Sequence, residues 1–234
     1  MPSSSRASIS RRSLLTTGLA AAALWRPAAA GAGPILIEDW SRQPLGAHGV
    51  PQGWKSYETP GGHPRYDFTI VEDGGHRALE LRSDDDHSTI ARELEVDLAA
   101  TPVLEWAWRV ISLPAGADLT RRATSDVTGH IFVVWPRFPA MLRSRLIGYV
   151  WDPRLPVGSL IGSSKTSTVH FVVVRSGPRG LGEWSVERQD VAADHKRIYG
   201  EAPPKPGAIA LSIDTNDTRA SAAARFGRIT LQSR

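Results

Sequence analysis

The sequence has no cysteine among its 234 residues, and no stretch after residue 30 is apolar enough to span a membrane. Disulfide bonds and thiolate metal sites are therefore excluded, and a bilayer span would need roughly 20 apolar residues. A glycine-rich phosphate loop and a Gly-x-Ser-x-Gly nucleophile elbow are also missing. No internal repeat of roughly 20–50 residues occurs, which argues against a propeller or a solenoid.

The first 30 residues have the composition of an export signal. Arg11 and Arg12 precede a mildly apolar run over residues 14–24, which ends at the small-residue pattern Ala28-Ala29-Ala30. A basic start, a short apolar stretch and a small-x-small end define a secretory signal, and the paired arginines resemble the twin-arginine type. The sequence therefore predicts a signal peptide over residues 1–30, which the twin-arginine translocase handles. The remaining chain is expected in the periplasm or outside the cell.

The excess of basic over acidic residues in the chain comes from this signal. The formal net charge is +4, and four of the 28 basic residues lie before residue 31, where there is no acidic residue. Residues 31–234 therefore carry 24 basic and 24 acidic side chains, without a basic run that could follow a phosphate backbone. A nucleic-acid partner is excluded on this ground. No Pro/Gly/Ser-rich linker divides residues 31–234, which indicates one domain.

Strand patterns dominate residues 31–234. The clearest is 103–112, where apolar residues including Trp106 and Trp108 alternate with Glu105 and Arg109. Period-two alternation buries one face of a strand, so the two tryptophans are expected in the core. About eleven such strands are predicted, at 34–40, 66–71, 78–83, 88–94, 103–112, 129–135, 146–151, 168–175, 183–189, 209–214 and 225–232.

Helical periodicity is confined to one short segment, residues 191–199. Many strands, frequent turns and at most one or two short helices predict an all-β fold. The expected architecture is a single antiparallel β-sandwich of jelly-roll type.

Several segments together resemble one family of exported bacterial proteins, domain of unknown function 3047. They follow the family's order over nearly the whole chain after the signal: 104–110, Asp126 with 130–133, 148–151, 184–188, 194–200, 209–218 and 224–229. The resemblance implies export and a β fold, and it implies no activity, because the family has none established. A looser resemblance links the chain to carbohydrate-binding jelly rolls with galactose-binding-like folds, and fold alone does not fix function.

The candidate ligand groove starts from the face opposite the tryptophans. Glu105 and Arg109 lie on that face about 13 Å apart, too far to pair directly, at about 3.3 Å per residue. If that face is concave, the two side chains would line a groove with Asp126, His130 and Trp151. The alternative is an ordinary solvated outer face.

The candidate metal site is the segment after the strand at 209–214. Asp214, Asn216 and Asp217 resemble the opening of a calcium loop, although the glycine and the distant glutamate of an EF-hand are missing. The alternative is a structural turn, because Asp and Asn side chains cap turn amides. No other cofactor is indicated.

Three functions remain open at this stage. The first is noncatalytic binding of a glycan or another envelope component, which predicts an exposed aromatic residue in a groove with polar neighbours. The second is an enzyme acting on polysaccharide, which needs two carboxylates, or a histidine with a carboxylate such as Asp126 with His130, in one cleft. The third is a structural or assembly partner in the cell envelope.

Overall fold

The computed structural model describes residues 33–57, 63–139 and 143–234. The predicted signal peptide, residues 1–30, lies outside the described residues. The described residues form two β-sheets packed face to face, which confirms the predicted all-β sandwich. None of the helices in these ranges has the length and apolar character that crossing a membrane requires.

The six-stranded sheet consists of β1 (Ile35–Glu38), β3 (Phe68–Asp73), β4 (His76–Asp84), β6 (Val103–Ser112), β11 (Ser185–Asp190) and β13 (Ser221–Gln232). β6 and the long strand β13 lie at its centre. β11 lies beside β6, and β4 and β1 share the far edge of β13, with β3 beyond β4. The turn between β3 and β4 places Gly74 and Gly75 at positive φ, as a two-residue hairpin turn requires.

The seven-stranded sheet consists of β2 (Lys55–Ser56), β5 (His87–Glu93), β7 (Val127–Trp135), β8 (Arg145–Asp152), β9 (Leu160–Gly162), β10 (Val169–Ser176) and β12 (Ala208–Asp214). Its strand order is β2-β5-β12-β7-β8-β10-β9. All neighbours are antiparallel except β8 and β10, which run parallel.

The parallel pairing of β8 and β10 results from the position of β9 at the edge of the sheet. After β8 the chain passes to the outer edge of the sheet, returns as the three-residue strand β9, and only then enters β10 between them. β9 runs opposite to β8, and β10 is antiparallel to β9, so β10 runs in the same direction as β8. β9 lies between the predicted strands at 146–151 and 168–175, where no strand is predicted from the sequence, and β2, which has only two residues, is not predicted either.

The core between the sheets is aromatic. Trp106 and Trp108 are completely buried, as predicted, with ring centroids 5.5 Å from Tyr149 and 6.0 Å from Trp151. The two sheets come close together at Gly129, where a Cβ atom would lie 2.6 Å from the Cβ of Ala224. Only glycine fits such an approach without displacing its neighbours.

The predicted helix is present as α1 (Val191–Tyr199). The Asp190 side chain accepts a hydrogen bond from the Ala193 N–H at 2.9 Å, which caps the first turn. Gly200 ends the helix in the left-handed conformation, and its N–H donates to the Lys196 carbonyl. The helix directly follows β11 and buries Val191 and His195.

Candidate ligand-binding cavity

A cavity of about 820 Å³ lies on the outer surface of the six-stranded sheet. Its walls come from three segments distant in sequence: residues 39–41 after β1, residues 73–77 at the β3–β4 turn, and residues 184–186 at the start of β11. Ala107 and Gly227 form its floor. We call this feature the Trp184 cavity, after the largest side chain that lines it.

The small floor residues follow from strand alternation and a β-bulge. β6 turns its tryptophans inward, so Ala107 points outward between them. The register of β13 on β6 slips between Phe226 and Ile229, so two residues, Gly227 and Arg228, oppose the single Ala107. The Nε1 of Trp40 donates to the Gly227 carbonyl oxygen at 2.9 Å and fixes the bulge from the core side.

Trp184 lies directly above this floor. A Cβ atom built on Gly227 would lie 3.3 Å from Cζ3 of Trp184 and 3.3 Å from Cβ of Ala107, so the indole occupies the space that a side chain at 227 would need. Trp184 is 38% exposed, whereas the other six tryptophans of the described residues are buried. An aromatic ring is thus held against the sheet with part of its surface open to solvent.

One wall of the cavity is held by an ion-pair network. Asp73 accepts hydrogen bonds from Arg109, at 3.0 and 3.2 Å, and from Arg225 at 2.7 Å. Arg225 also binds Glu80 at 2.6 Å. Burial raises the pKa of Asp73, but the hydrogen bonds from Arg225 and Arg109 outweigh it, so the net pKa is lowered. This carboxylate therefore stays ionised and fixed in place.

Further polar groups line the rest of the cavity. Arg228 makes no ion pair within the described part of the chain and is exposed. The Ser41 hydroxyl and amide lower the pKa of Asp39, with a smaller contribution from the charge of Arg228. His76 adds an exposed imidazole at the β3–β4 turn. The lining of the cavity therefore includes hydrogen-bond donors and an acceptor besides the indole.

The structure does not bring together the five residues of the predicted groove. Arg109 donates a hydrogen bond to Asp73, which lines the Trp184 cavity. Glu105 lies on the same outer face and pairs with Arg188 at 2.9 Å. Trp151 is only 1% exposed, because its position on β8 alternates with outward residues and faces the core between the sheets.

His130 lies on the other sheet and Asp126 directly precedes its strand β7, so the structure places the five residues in separate locations. His130 is 3% exposed on the outer face of the seven-stranded sheet, with its ring 4.7 Å from that of Phe132. Burial lowers the pKa of His130 to about 3, so its ring is neutral near pH 7. Both oxygens of Asp126 accept backbone N–H groups, from Asp217 at 3.0 Å and from Thr218 at 2.8 Å. Asp126 therefore caps a turn and does not pair with His130.

The segment predicted to bind calcium is held by a lysine. Nζ of Lys165 lies 2.6 Å from Oδ2 of Asp217 and 3.6 Å from Oδ2 of Asp214, and the Asn216 N–H bonds to the Asp214 side chain at 3.5 Å. Burial raises the pKa of Asp214. In residues 33–57, 63–139 and 143–234 no three His, Cys, Asp or Glu side chains gather in a metal-binding arrangement. The described geometry fits the alternative of a structural turn, with an ammonium group between the carboxylates.

Comparisons with known proteins place the chain in a family. A model of the family described as "Protein of unknown function (DUF3047)" matches residues 52–230. No curated protein matches the chain.

Solved structures similar to the chain include the xyloglucanase domain of NopAA from Sinorhizobium fredii (TM-score 0.44, 10% identity, 82% of this chain and 97% of that chain). A cellulase derived from Cel12A of Rhodothermus marinus has a TM-score of 0.43 at 8% identity over 78% of this chain and 92% of that one. The mannan-recognising module TmCBM27 has a TM-score of 0.37 at 13% identity over 87% and 99%. At these identities and TM-scores the similarities carry no conclusion about this chain.

Proposed function

Because this chain belongs to DUF3047, a family of unknown function, we propose a function from its own geometry: it binds carbohydrate noncatalytically in the Trp184 cavity. The observation that carries the proposal is the half-exposed indole of Trp184 above the Ala107 and Gly227 floor. A sugar ring has an apolar C–H face that packs on an aromatic ring, and hydroxyls at its rim that need polar partners.

The size and the walls of the cavity support this ligand class. Small-molecule sites are typically about 300–1,000 Å³, and they combine apolar surface with a few placed polar groups. The cavity of about 820 Å³ falls in that range and suits a short oligosaccharide better than a single sugar. Arg228 and His76 supply donors for sugar oxygens, and Asp39 supplies an acceptor.

Binding is favoured over glycoside hydrolysis by the state of the two carboxyl groups that line the cavity. Hydrolysis by a carboxyl pair needs one group with a raised pKa to act as the general acid. The pKa values of Asp39 and Asp73 are both lowered, the first by hydrogen bonds from Ser41 and the second by its arginines. Neither carboxyl is protonated near pH 7, so the described cavity lacks that acid.

We also propose that the cavity meets its ligand outside the cytoplasm. Support comes from the predicted twin-arginine signal at residues 1–30, which would direct the chain to the periplasm or beyond. A glycan of the cell envelope or its surroundings is the ligand class that this location offers.

The test compares binding to a panel of soluble oligosaccharides by wild type and Trp184→Ala. Loss of the stacking surface should weaken binding of the best ligand about tenfold or more, which corresponds to about 1.4 kcal/mol. Tyr57→Ala is the matched control, because Tyr57 is an exposed aromatic residue outside the cavity, and it should bind as wild type does. Equal affinity of Trp184→Ala and wild type would remove the proposal.

A further inference from the structure

A second, smaller pocket lies apart from the Trp184 cavity and is rich in arginine. Its volume is about 310 Å³, and it shares no lining residue with the larger cavity. It lies where β7 ends and β8 and β10 begin, next to the end of α1. We call it the arginine pocket, lined by Arg137, Arg143, Arg145, Ser167, Thr168, His170 and Tyr199.

The three arginines carry more positive charge than the adjacent acid neutralises. Glu201 pairs closely with Arg145, and the same carboxylate oxygen lies 3.5 Å from Nη2 of Arg137. The guanidinium of Arg143 has no carboxylate partner within the described ranges. Three cations and one carboxylate leave a formal surplus of two positive charges, in a domain whose own net charge is zero.

One of the three cations, Arg145, is held in place by an aromatic ring. The guanidinium carbon of Arg145 lies 4.4 Å from the ring centroid of Tyr199. The hydroxyl of Tyr199 donates to the carbonyls of Leu146 at 3.2 Å and Thr168 at 3.1 Å, which anchors the ring to β8 and to the start of β10. A cation fixed over an aromatic face keeps its remaining N–H donors available for a ligand.

Uncharged donors lie around the same pocket. Ser167 and Thr168 add hydroxyl groups, and His170 packs edge-on against Tyr199 at 5.3 Å. Burial lowers the pKa of His170, so the ring is neutral near pH 7 with one N–H to donate. Its Nδ1 is buried and has no hydrogen-bond partner among the described residues.

From this arrangement we propose that the arginine pocket binds a phosphate group, as inorganic phosphate or as the monoester of a small molecule. A phosphate monoester carries nearly two negative charges near pH 7 and several acceptor oxygens, which match the surplus charge and the converging donors. A carboxylate has one charge and two oxygens, and it would leave part of the guanidinium donors unpaired. The volume of about 310 Å³ admits a phosphate with a small attached group.

The position of Glu201 gives the proposal a distinctive consequence. Its carboxylate is 54% exposed and occupies donors of Arg145 and Arg137 that a phosphate would use. The bound phosphate and the Glu201 carboxylate therefore compete for the same guanidinium groups. Removing the charge of Glu201 should strengthen phosphate binding, whereas removing Arg143 should weaken it.

The experiment is calorimetric titration of the purified protein at low ionic strength with inorganic phosphate, glucose 6-phosphate, glucose and glucuronate. Arg143→Gln should weaken phosphate binding about tenfold, and Glu201→Gln should strengthen it about threefold to fivefold. Arg179→Gln is the matched control, because Arg179 is an exposed arginine outside the pocket without an ion pair among the described residues. Melting temperatures of the variants establish that each is folded.

Two comparisons identify the source of the phosphate. Tighter binding of glucose 6-phosphate than of phosphate, without binding of glucose, supports a phosphomonoester, and the reverse order supports the free ion. The proposal is overturned if phosphate does not bind, or if glucuronate binds as tightly as phosphate. It is also overturned if Arg143→Gln binds as wild type does, or if Glu201→Gln does not bind more tightly. Trp184→Ala should leave phosphate binding unchanged, so the two sites can fail separately.

Discussion

Adding one methyl group at Gly227 tests whether the position of the Trp184 indole controls ligand binding. The new Cβ would lie 3.3 Å from Cζ3 of Trp184 and from Cβ of Ala107, slightly inside normal contact. Gly227 does not have a positive φ, so alanine can adopt its backbone conformation without strain. The indole is partly exposed and can tilt outward by a few tenths of an ångström. The substitution therefore moves the ring while the fold stays intact.

The expected magnitudes separate binding from stability. A displaced ring should lose part of its stacking on the sugar, so Gly227→Ala should weaken binding about threefold to tenfold, or about 0.7–1.4 kcal/mol. Stability should change by no more than about 1 kcal/mol, because the close contact is opposed by the lower entropy of alanine in the unfolded chain. For a domain of this size that corresponds to a shift in melting temperature of at most about 4 °C.

Gly148→Ala is the matched control on the other sheet. Its Cβ would lie 2.6 Å from Cε1 of Phe132 and 2.9 Å from Cδ1 of Phe171, and both rings are buried. Overpacking of this kind costs about 1–3 kcal/mol and should lower the melting temperature by roughly 3–9 °C. Ligand affinity at a temperature where the variant is folded should equal that of wild type.

The assay is thermal melting together with calorimetric titration of the best ligand from the oligosaccharide panel. Refutation would come from a Gly227→Ala protein that binds as wild type does, because the indole would then not be the stacking surface. The proposed role of the indole would also be refuted if Gly148→Ala weakened binding as much as Gly227→Ala, because both losses of affinity would then reflect stability alone.

Three further predictions concern the core, the pH dependence and export. Trp108→Ala should destabilise the fold by about 3–5 kcal/mol in urea unfolding, since it empties a fully buried position, and Trp184→Ala should cost clearly less; equal costs would contradict the assigned burial. The unfolded chain protonates His130 near pH 6.5 and the folded one near 3, so stability is full above pH 6.5 and falls as the pH drops. The loss of stability should approach about 1.4 kcal/mol per pH unit between about pH 6 and 3, and His130→Phe should reduce that slope. An unchanged slope in His130→Phe would contradict the lowered pKa of His130. Replacing Arg11 and Arg12 by lysine should retain the protein in the cytoplasmic fraction, and unchanged fractionation would contradict the predicted signal.

The sequence pattern predicts those parts of the fold that one strand determines by itself. The alternation through residues 103–112 identifies a strand and its buried face, and the segment 191–199 identifies the helix. Strand β9 could not be predicted in this way, because an alternation pattern over three residues does not distinguish a strand from a loop. The parallel pairing of β8 with β10 depends on where β9 lies, so it could not be predicted either.

The candidate site shows a different limit. Alternation correctly puts Glu105 and Arg109 on one face, but it does not say which residues of other strands share that face. The signal of β11 is also misleading, because apolar Trp184 and Val186 alternate with polar Ser185 and Glu187. If the apolar side chains of this segment faced the core, Trp184 would be buried. Instead Glu187 faces inward and accepts a hydrogen bond from Nε1 of Trp108 at 3.2 Å.

The uneven burial of the tryptophans makes the protein its own optical reporter. Trp184 is 38% exposed and the other six indoles of the described residues are buried, so among these seven a water-soluble quencher such as iodide reaches Trp184 alone; Trp25, the eighth tryptophan, belongs to the predicted signal. A sugar stacked on Trp184 would shield that emitter and leave the fluorescence of the interior unchanged. Occupancy of the cavity can therefore be followed in an unlabelled protein, and the same signal separates a filled cavity from a partly unfolded chain, in which all the indoles become accessible.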